Sequence, residues 1–317
     1  EWAGARFLPR RAVGLDPRTR MISLAGGRDD PLAFDIASIN IGSQPELPEG
    51  CERTFACVPI KPMQTFLDRL KQKLDSALAL SRTGPDPSLP LEISVIGGGA
   101  AGFEIACCLD QRLTASNVNR RITLFHAGEE ILAGSAPRAI RLAKAALKRR
   151  GVSVQTNCRV VRTESRGGHA VLILDDGREI RTDLALIATK ASAPADLSGF
   201  RLPKTERGFL AVRPRAETAA DLPAFVACDS AEMVETPVPK AGVYAVRQGP
   251  VLWENLQRMS RRESLRPYRP QRRFLSLLNT GDGRAILQYH RLALHTRWAW
   301  WWKDRIDRKF LRRFRPG

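Results

Sequence analysis

The sequence predicts an α/β fold, in which strands and helices alternate along the chain and build a parallel sheet. The first observation is the segment 91–155, whose apolar pattern gives strand, helix, strand, helix, strand. The second is the glycine-rich turn 97–102, which joins the first of these strands directly to its helix. The third is the segment 160–181, whose apolar runs and Asp-Asp-Gly turn predict an inserted antiparallel β meander.

The remaining elements follow from apolar spacing and from turn residues. Proline and glycine residues within 82–90 predict a domain boundary. In chain order, the patterns first predict strands at 6–13, 21–24 and 34–41 and a helix over 63–79. They then predict a strand at 91–96, a helix from the glycine turn through residue 109, a strand at 121–125 and a helix over 137–149. The last predicted elements are strands at 153–155, 160–164, 170–174, 179–181, 183–188 and 224–227 and a helix over 243–259.

Composition excludes several classes of protein. The 317 residues are 43 % hydrophobic, which excludes a wholly disordered chain, and no apolar run approaches the roughly 18 residues that span a bilayer. No secretory signal segment follows Glu1, so we expect a cytoplasmic protein. The first residue is not Met, and we therefore expect a fragment. The formal net charge is +18, of which residues 256–317 carry +13 with 17 Lys or Arg against 4 Asp or Glu.

Cysteine and histidine usage gives no sign of a metal centre. The chain has four His and no CxxC, HxxxH or HExxH spacing, so a zinc site is not expected. Cys51 and Cys57 lie in a proline-flanked loop with a spacing that disfavours dithiol chemistry. We expect all six cysteines to be free thiols: Cys51, Cys57, Cys107, Cys108, Cys158 and Cys228.

The strongest functional motif is the GxGxxG turn between a strand and a helix, the setting that makes it a dinucleotide fingerprint. Its first glycine permits a tight turn, its second lets a pyrophosphate approach the backbone, and its third allows the helix to pack closely. The helix N-terminus then faces the phosphates. The motif predicts a coenzyme contact for each of Gly97, Gly98, Gly99, Ala100, Ala101 and Gly102.

His126 stands at the end of the second strand, where an Asp or Glu usually binds the coenzyme ribose. A neutral imidazole could hydrogen-bond a ribose hydroxyl, and a protonated one could face a 2′-phosphate. Alternatively, His126 is a bystander at a strand end. The sequence leaves NADH and NADPH open.

Five segments resemble the FAD-dependent pyridine nucleotide-disulfide oxidoreductase superfamily. The glycine turn resembles the NAD(P)H module of that family. The second segment below resembles the strand that returns to the flavin domain, the third resembles the strand that leaves the nucleotide domain, and the last two resemble the second flavin-contacting segment. They are IGGGAAGFEIA at 96–106, FDIASINIGSQP at 34–45, DLALIAT at 183–189, PAFVACD at 223–229 and PKAGVYAVR at 239–247.

The resemblance implies two Rossmann-like dinucleotide-binding domains, one for FAD and one for NADH or NADPH. By analogy, Asp229 would bind the FAD ribityl chain, and the helix that begins near Val243 would point its N-terminus at the isoalloxazine. Glu104 would approach the nicotinamide. The resemblance also assigns cofactor contacts to Gly42, Thr189, Lys240, Ala241 and Gly242. It divides the chain into a remnant of the FAD domain with a linker helix (1–88), the NAD(P)H domain (89–199), a return to the FAD domain (200–259) and a basic C-terminal region with an amphipathic helix (260–317).

Four further segments resemble a branch of the family that is similar to type II NADH dehydrogenases and is often fused to, or encoded with, selenophosphate synthetase. They are VPIKP at 58–62, GVYAVRQGP at 242–250, GDGRAI at 281–286 and WAWWWKDRIDRKF at 298–310. Three features depart from the family pattern. The first βαβ unit, with its FAD-binding glycine loop, is missing, and Lys190 and Cys228 stand where glycines are usual.

The basic tail predicts an amphipathic helix, because Trp298, Trp302, Ile306, Phe310 and Phe314 recur every four residues among Lys and Arg. Such a helix, over 298–315, suits a membrane surface or a partner protein, and it equally suits packing on its own domain with a solvated basic face. No nucleic-acid-binding signature accompanies the charge. We expect a cytoplasmic protein that could lie peripherally on the inner face of the membrane.

The resemblance implies an FAD-dependent NAD(P)H:acceptor oxidoreductase. Hydride would pass from nicotinamide to flavin, and electrons would leave to a quinone, another small molecule or a partner. The alternative is a non-catalytic module of the same fold that docks a selenophosphate synthetase or a membrane through its tail.

Overall fold

The computed structural model describes residues 4–26, 31–83, 86, 88–218 and 223–313. Several predicted features lie outside these residues: Gly27 of an early turn, Gly84, Pro85 and Pro87 of the expected domain boundary, and Phe314 at the end of the tail helix.

The described residues form five α-helices: α1 (Met63–Thr83), α2 (Ala100–Ala115), α3 (Pro137–Arg149), α4 (Gly242–Ser260) and α5 (Arg297–Arg312). The strands are β1 (Ala12–Asp16), β2 (Met21–Leu24), β3 (Leu32–Ala33), β4 (Ala37–Ile39), β5 (Gln44–Pro45), β6 (Cys57–Pro59), β7 (Leu91–Ile96), β8 (Arg120–Phe125), β9 (Ser153–Gln155), β10 (Val160–Arg166), β11 (His169–Leu174), β12 (Glu179–Thr182), β13 (Leu184–Ile187), β14 (Ala191–Ser192), β15 (Leu210–Val212), β16 (Ala224–Val226), β17 (Ala231–Met233), β18 (Ser276–Asn279), β19 (Ala285–Tyr289) and β20 (Leu292–Thr296).

The chain folds into two compact units. Unit 1 comprises Glu1–Gln44 and Ala191–Arg272, and unit 2 comprises Pro45–Lys190 and Arg273–Gly317. This division differs from the expected domain boundaries at both ends of the chain. Strand β6 and helix α1, expected in the FAD-domain remnant, belong to unit 2, and so does the C-terminal region from residue 273.

Unit 2 is built on a five-stranded parallel sheet with the order β6-β13-β7-β8-β9. The central strands β7 and β13 are almost wholly apolar because both faces of a parallel sheet are covered. Helices α1, α2 and α3 bury their apolar stripes in the same core; Phe66, Phe103 and Ile140 are examples. The antiparallel meander β10-β11-β12 packs its own apolar face against the sheet, which confirms the predicted α/β fold with an inserted meander.

A C-terminal meander, β18-β19-β20, and helix α5 complete unit 2, and the sequence patterns predicted no strand there. The buried residues Leu278, Ile286 and Ala293 join the core that α2 and α3 share with the sheet. Arg150 adds a polar anchor: it contacts the buried carboxylate of Asp110 at 3.0 Å and donates to a backbone carbonyl of the meander.

Unit 1 consists of small sheets around its own apolar core. Strands β1-β2-β3 are antiparallel, whereas β4 pairs with β16 and β15 pairs with β17 in parallel. The first strand begins at Ala12, later than expected. It ends at Asp16, whose carboxylate accepts from the Arg18 N–H at 2.9 Å and holds the turn after β1. Only Ala37–Ile39 of the expected strand 34–41 pairs in a ladder.

Gly281 lies where the C-terminal meander packs closely on helix α2. Its φ is +75°, and a Cβ there would lie 2.7 Å from the carbonyl oxygen of Cys107. Gly283 has a similar φ of +71° and open space around its Cβ position. We expect Gly281→Ala to lower the free energy of unfolding by about 3 kcal/mol, from backbone strain plus overlap.

Gly283→Ala is the matched control and should lower it by about 1 kcal/mol through strain alone. Urea unfolding of both variants measures the difference. Equal losses would contradict the close approach of the meander to α2.

Candidate functional site

The glycine turn after β7 brings three stretches of backbone into direct contact. Gly97 has φ +122°, and a Cβ there would overlap the carbonyl group of Ala188 at the end of β13. A Cβ at Gly102 would overlap the carbonyl oxygen of Gly97, so the first turn of α2 rests on the loop itself. Two of the three motif glycines are therefore required by packing, as the tight turn and close helix approach predict.

Gly99 differs from its neighbours because it faces open space. Its backbone has φ −76° and ψ −175°, which any residue can adopt, and no atom lies within 4 Å of its Cβ position. It caps helix α2, and no side chain caps the first-turn N–H groups. Uncapped N–H groups and the helix dipole suit an anion at this position.

A cleft of about 450 Å³ opens at this turn and lies entirely within unit 2. Its floor is the carboxyl end of the parallel sheet, where open α/β sheets bind ligands. The lining residues are Glu46, Leu47, Pro48, Ile96, Gly97, Gly98, Gly99, Phe125, His126, Ala127, Cys158, Arg159, Val160, Val161, Ala188, Thr189 and Lys190.

His126 lies in this cleft, half-buried at the end of β8. Its Nδ1 accepts a hydrogen bond from the Gly98 N–H at 3.2 Å. The ring also fills the space beside Gly98, where a Cβ would lie 2.7 Å from Cγ of the imidazole. His126 is thus fastened to the glycine turn, and the neutral ring carries its proton on Nε2.

Thr189 and Lys190 follow β13 and form the opposite wall. The Thr189 hydroxyl donates to the Glu46 carbonyl at 2.6 Å, and the Glu46 N–H donates to the Lys190 carbonyl at 2.9 Å. The Lys190 ammonium pairs with the Glu46 carboxylate at 3.2 Å and keeps 71 % of its side chain exposed. The lysine at this expected glycine position therefore leaves the cleft open.

In unit 1, four of the predicted flavin-site residues occupy one neighbourhood: Asp229, Lys240, Ala241 and Gly242. The Asp229 carboxylate accepts from the Ser43 hydroxyl at 3.0 Å. The Lys240 ammonium lies 4.0 Å from the centre of the Phe209 ring, and burial lowers its pKa to about 8, although Glu232 and Asp229 oppose that shift. Helix α4 begins at Gly242, next to its cap Ala241, and no side chain caps it.

Backbone angles and the free space around Cβ positions describe the other residues of the predicted flavin site in unit 1. Gly42 has φ +77°, and both Gly42 and Gly242 have open space at their Cβ positions. Val243 lies in the first turn of α4. Cys228 has φ +63°, so the cysteine adopts the left-handed backbone that favours the glycine expected there.

A family model described as pyridine nucleotide-disulphide oxidoreductase matches residues 4–249. The chain belongs to this family. The ferredoxin–NAD(+) reductase component of the biphenyl dioxygenase system of Paraburkholderia xenovorans is 30 % identical over 190 residues, which are 60 % of this chain and 41 % of that protein. Rubredoxin–NAD(+) reductase of Pseudomonas putida is 29 % identical over 203 residues, which are 61 % of this chain and 47 % of that protein.

Two solved structures share the fold of this chain. NDH2 from Plasmodium falciparum in complex with NADH superposes with a TM-score of 0.78 at 12 % identity, covering 96 % of this chain and 80 % of that one. Sulfide:quinone oxidoreductase from Aquifex aeolicus gives 0.74 at 15 % identity, covering 96 % and 74 %. The chain spans about half the length of the curated relatives it matches, from 41 to 52 %.

The family implies FAD and NAD(P)H as cofactors. The two units differ in how well their residues fit these molecules. Unit 2 has the glycine turn, the uncapped helix and the open cleft that a nicotinamide dinucleotide requires. The described residues of unit 1 group Asp229, Lys240 and the start of α4, but they contain no glycine-rich turn between a strand and a helix for an FAD pyrophosphate. They do not fit the complete FAD molecule by themselves.

One predicted site residue lies away from the cleft, and one predicted partner lacks support. Glu104 does not line the cleft: its carboxylate accepts from the Asn279 N–H at 2.7 Å and lies 4.0 Å from the Lys303 ammonium, so it faces the C-terminal meander and α5. The expected link to selenophosphate synthetase has no support in the names of the relatives described above.

Sequence reasoning missed two features of unit 2. Arg159 lines the cleft, and only its position after β9, beside the end of β8, could have indicated this. The Cys51 and Cys57 side chains share a hydrogen bond, despite the spacing that disfavoured dithiol chemistry. That contact raises the pKa of Cys51 and lowers the pKa of Cys57. All six cysteines are free thiols.

Within the part of the chain that the structure describes, no group of three His, Cys, Asp or Glu side chains could hold a metal ion. Across the same residues, the helices are too short or too polar to cross a membrane.

Glu104→Gln tests the corrected position of this carboxylate. Burial raises the pKa of Glu104, so the folded protein keeps this proton to higher pH than the unfolded chain and loses stability as pH rises through the folded value. The Gln side chain keeps an oxygen that accepts from the Asn279 N–H, but it does not titrate. Wild-type stability should therefore fall relative to the variant as the pH rises above about 4, the ordinary range of a Glu carboxyl, as measured by urea unfolding.

NADH and NADPH affinities should be unchanged, because Glu104 lies outside the cleft. A selective loss of coenzyme binding by a stably folded Glu104→Gln variant would contradict this position and would indicate that Glu104 contacts the coenzyme.

Proposed function

We propose that the protein is an NAD(P)H:acceptor oxidoreductase of the flavin-dependent type. The observation that carries this proposal is the cleft at the glycine turn of unit 2. There Gly99 and the uncapped start of α2 face open space, while Gly97 and Gly102 bring backbone against backbone. A glycine-rich structural turn with no ligand would need no such opening.

The residues of the cleft bind and orient the coenzyme. The pyrophosphate would lie against the N–H groups at the start of α2, where the helix dipole favours negative charge. The adenosine half would extend toward His126, and the nicotinamide half toward Thr189 and Lys190. When bound, NAD(P)H supplies a hydride, and its transfer requires alignment of the nicotinamide with the acceptor rather than a protein acid or base.

The acceptor is proposed from the relatives. Two of them are named as reductases of rubredoxin or as a ferredoxin reductase component, and structural neighbours include NDH2 and a sulfide:quinone oxidoreductase. An iron–sulfur protein or a quinone is therefore the acceptor class we propose. The similarity to NDH2 also supports the type II NADH dehydrogenase-like branch. The non-catalytic alternative predicts that no nicotinamide dinucleotide binds.

Gly99→Asp tests the proposed binding mode. The backbone at Gly99 accepts a side chain without strain, and the new carboxylate would project into the open cleft toward the pyrophosphate. We expect at least about 100-fold weaker binding of NADH and NADPH, because two like charges face each other in a partly enclosed cleft. Isothermal titration calorimetry measures this directly.

Gly99→Asn controls for bulk, since it adds the same volume without charge and should cause a smaller loss. Circular dichroism should show all three proteins equally folded. Wild-type affinity in Gly99→Asp would sink the proposed site, and binding of neither coenzyme by folded wild-type protein would favour the non-catalytic alternative.

We also propose that helix α5 contacts an anionic membrane surface. Its Ala299 side packs on the C-terminal meander, whereas Trp298 and Trp301 are 56 % and 54 % exposed. The Arg305 guanidinium lies 5.8 Å from the Trp301 ring, and further basic residues follow along the helix. Exposed tryptophan beside basic side chains is the pattern of an interfacial helix.

Trp301→Ala should therefore weaken binding to vesicles that contain anionic phosphatidylserine, measured by co-sedimentation at low salt. The loss should be about fivefold, because one interfacial tryptophan is removed and the Arg305 guanidinium loses its aromatic contact. Trp253→Ala is the control, since Trp253 is 63 % exposed on α4. Equal binding by both variants, or equal binding to neutral vesicles, would contradict a membrane role for α5.

A further inference from the structure

The cleft carries a second anion-binding position beyond the glycine turn, at the end of β8. Three backbone hydrogen bonds hold the loop after β8 against the loop after β9. The His126 N–H donates to the Gln155 carbonyl at 2.8 Å, the Cys158 N–H donates to the His126 carbonyl at 2.9 Å, and the Asn157 N–H donates to the Gly128 carbonyl at 2.9 Å. These bonds place Arg159, the next residue, beside His126 in the cleft wall.

Ion pairing distinguishes Arg159 from the other basic residues at the cleft. Among the cleft-lining residues, Lys190 is paired with Glu46 at 3.2 Å. Arg178, which contacts the Cys158 sulfur, is paired with Asp176 at 2.7 Å. In the described part of the chain, the exposed Arg159 guanidinium has no carboxylate within ion-pair distance. Its positive charge is therefore available to a ligand in the cleft.

His126 presents a hydrogen-bond donor at the end of β8, in the position where a carboxylate is usual. A carboxylate there would bind the 2′- and 3′-hydroxyls of an unphosphorylated ribose. Instead, the Nδ1 of His126 is occupied by the Gly98 N–H, so the neutral ring offers its Nε2–H. A donor imidazole and a guanidinium complement a phosphate, which has only acceptor oxygens near neutral pH.

We infer that Arg159, with His126, binds the 2′-phosphate of NADPH and makes the protein selective for the phosphorylated coenzyme. This inference rests on the proposed function, because it requires the pyrophosphate to lie at the start of α2. From that position the adenosine ribose of a dinucleotide reaches the end of the second strand, which is β8 here. Its 2′ substituent then lies near His126 and Arg159.

The test compares ligands that differ at one phosphate. Isothermal titration calorimetry on the full chain gives dissociation constants for NADPH and NADH, and for the fragments 2′,5′-ADP and 5′-AMP. We expect NADPH to bind at least about 10-fold more tightly than NADH, with the same order for the two fragments. The fragments lack nicotinamide, so they isolate recognition of the 2′-phosphate.

Arg159→Gln should weaken NADPH and 2′,5′-ADP by about 10- to 100-fold and leave NADH within about twofold. Arg162→Gln is the matched control: Arg162 lies three residues further along, outside the cleft, and pairs with Glu164 at 3.2 Å. That variant should retain wild-type affinities. His126→Glu restores the usual carboxylate and should lower the NADPH to NADH preference at least about 10-fold.

The outcomes separate the two proposals. Equal affinity for NADPH and NADH, or a preference for NADH, overturns the 2′-phosphate site while the proposed function stands. An NADPH preference that persists in Arg159→Gln overturns the role of Arg159. Binding of neither coenzyme by folded protein overturns both.

Discussion

The cleft at the glycine turn depends on one constraint: backbone lies directly against backbone where β7, β13 and α2 converge. Gly97 packs on the Ala188 carbonyl, and Gly102 packs on the Gly97 carbonyl. Neither position has room for a Cβ atom, so the helix begins immediately above the sheet. This close approach leaves the first N–H groups of α2 at the mouth of the cleft. A change in the spacing of the motif glycines would therefore also change the position of these N–H groups.

A second set of contacts joins the C-terminal meander to α2 and α3. Arg150 bridges the buried Asp110 carboxylate and the meander backbone, while Glu104 accepts from Asn279. Burying these charges is favourable only because each has a partner and a hydrogen bond. Helix α2 thus begins at the glycine turn and contacts the C-terminal residues further along its length, at Glu104 and Cys107.

The sequence predicted the parallel sheet of unit 2 and its glycine turn well, because both depend on local patterns: a continuous apolar strand, a GxGxxG spacing and helical apolar periodicity. It failed at Glu104, whose direction depends on a meander 175 residues further along. It missed Arg159 for a similar reason, since backbone bonds between two loops bring that residue to His126. Spacing also could not predict the Cys51–Cys57 contact, which a short 3₁₀ turn creates. Predictions failed where tertiary contacts decide the position of a side chain.

The order of segments along the chain has a consequence for synthesis on the ribosome. Unit 2 begins at Pro45, is interrupted after Lys190 and resumes at Arg273. Domains fold as their residues emerge, with N-terminal segments first. The flank of α2 that receives the meander, including the backbone around Cys107, therefore stays uncovered while the 82 intervening residues of unit 1 are made. During that interval the nascent protein exposes the apolar surface that Leu278, Ile286 and Ala293 later cover, so a chaperone would find its binding surface there rather than at the cleft of the glycine turn.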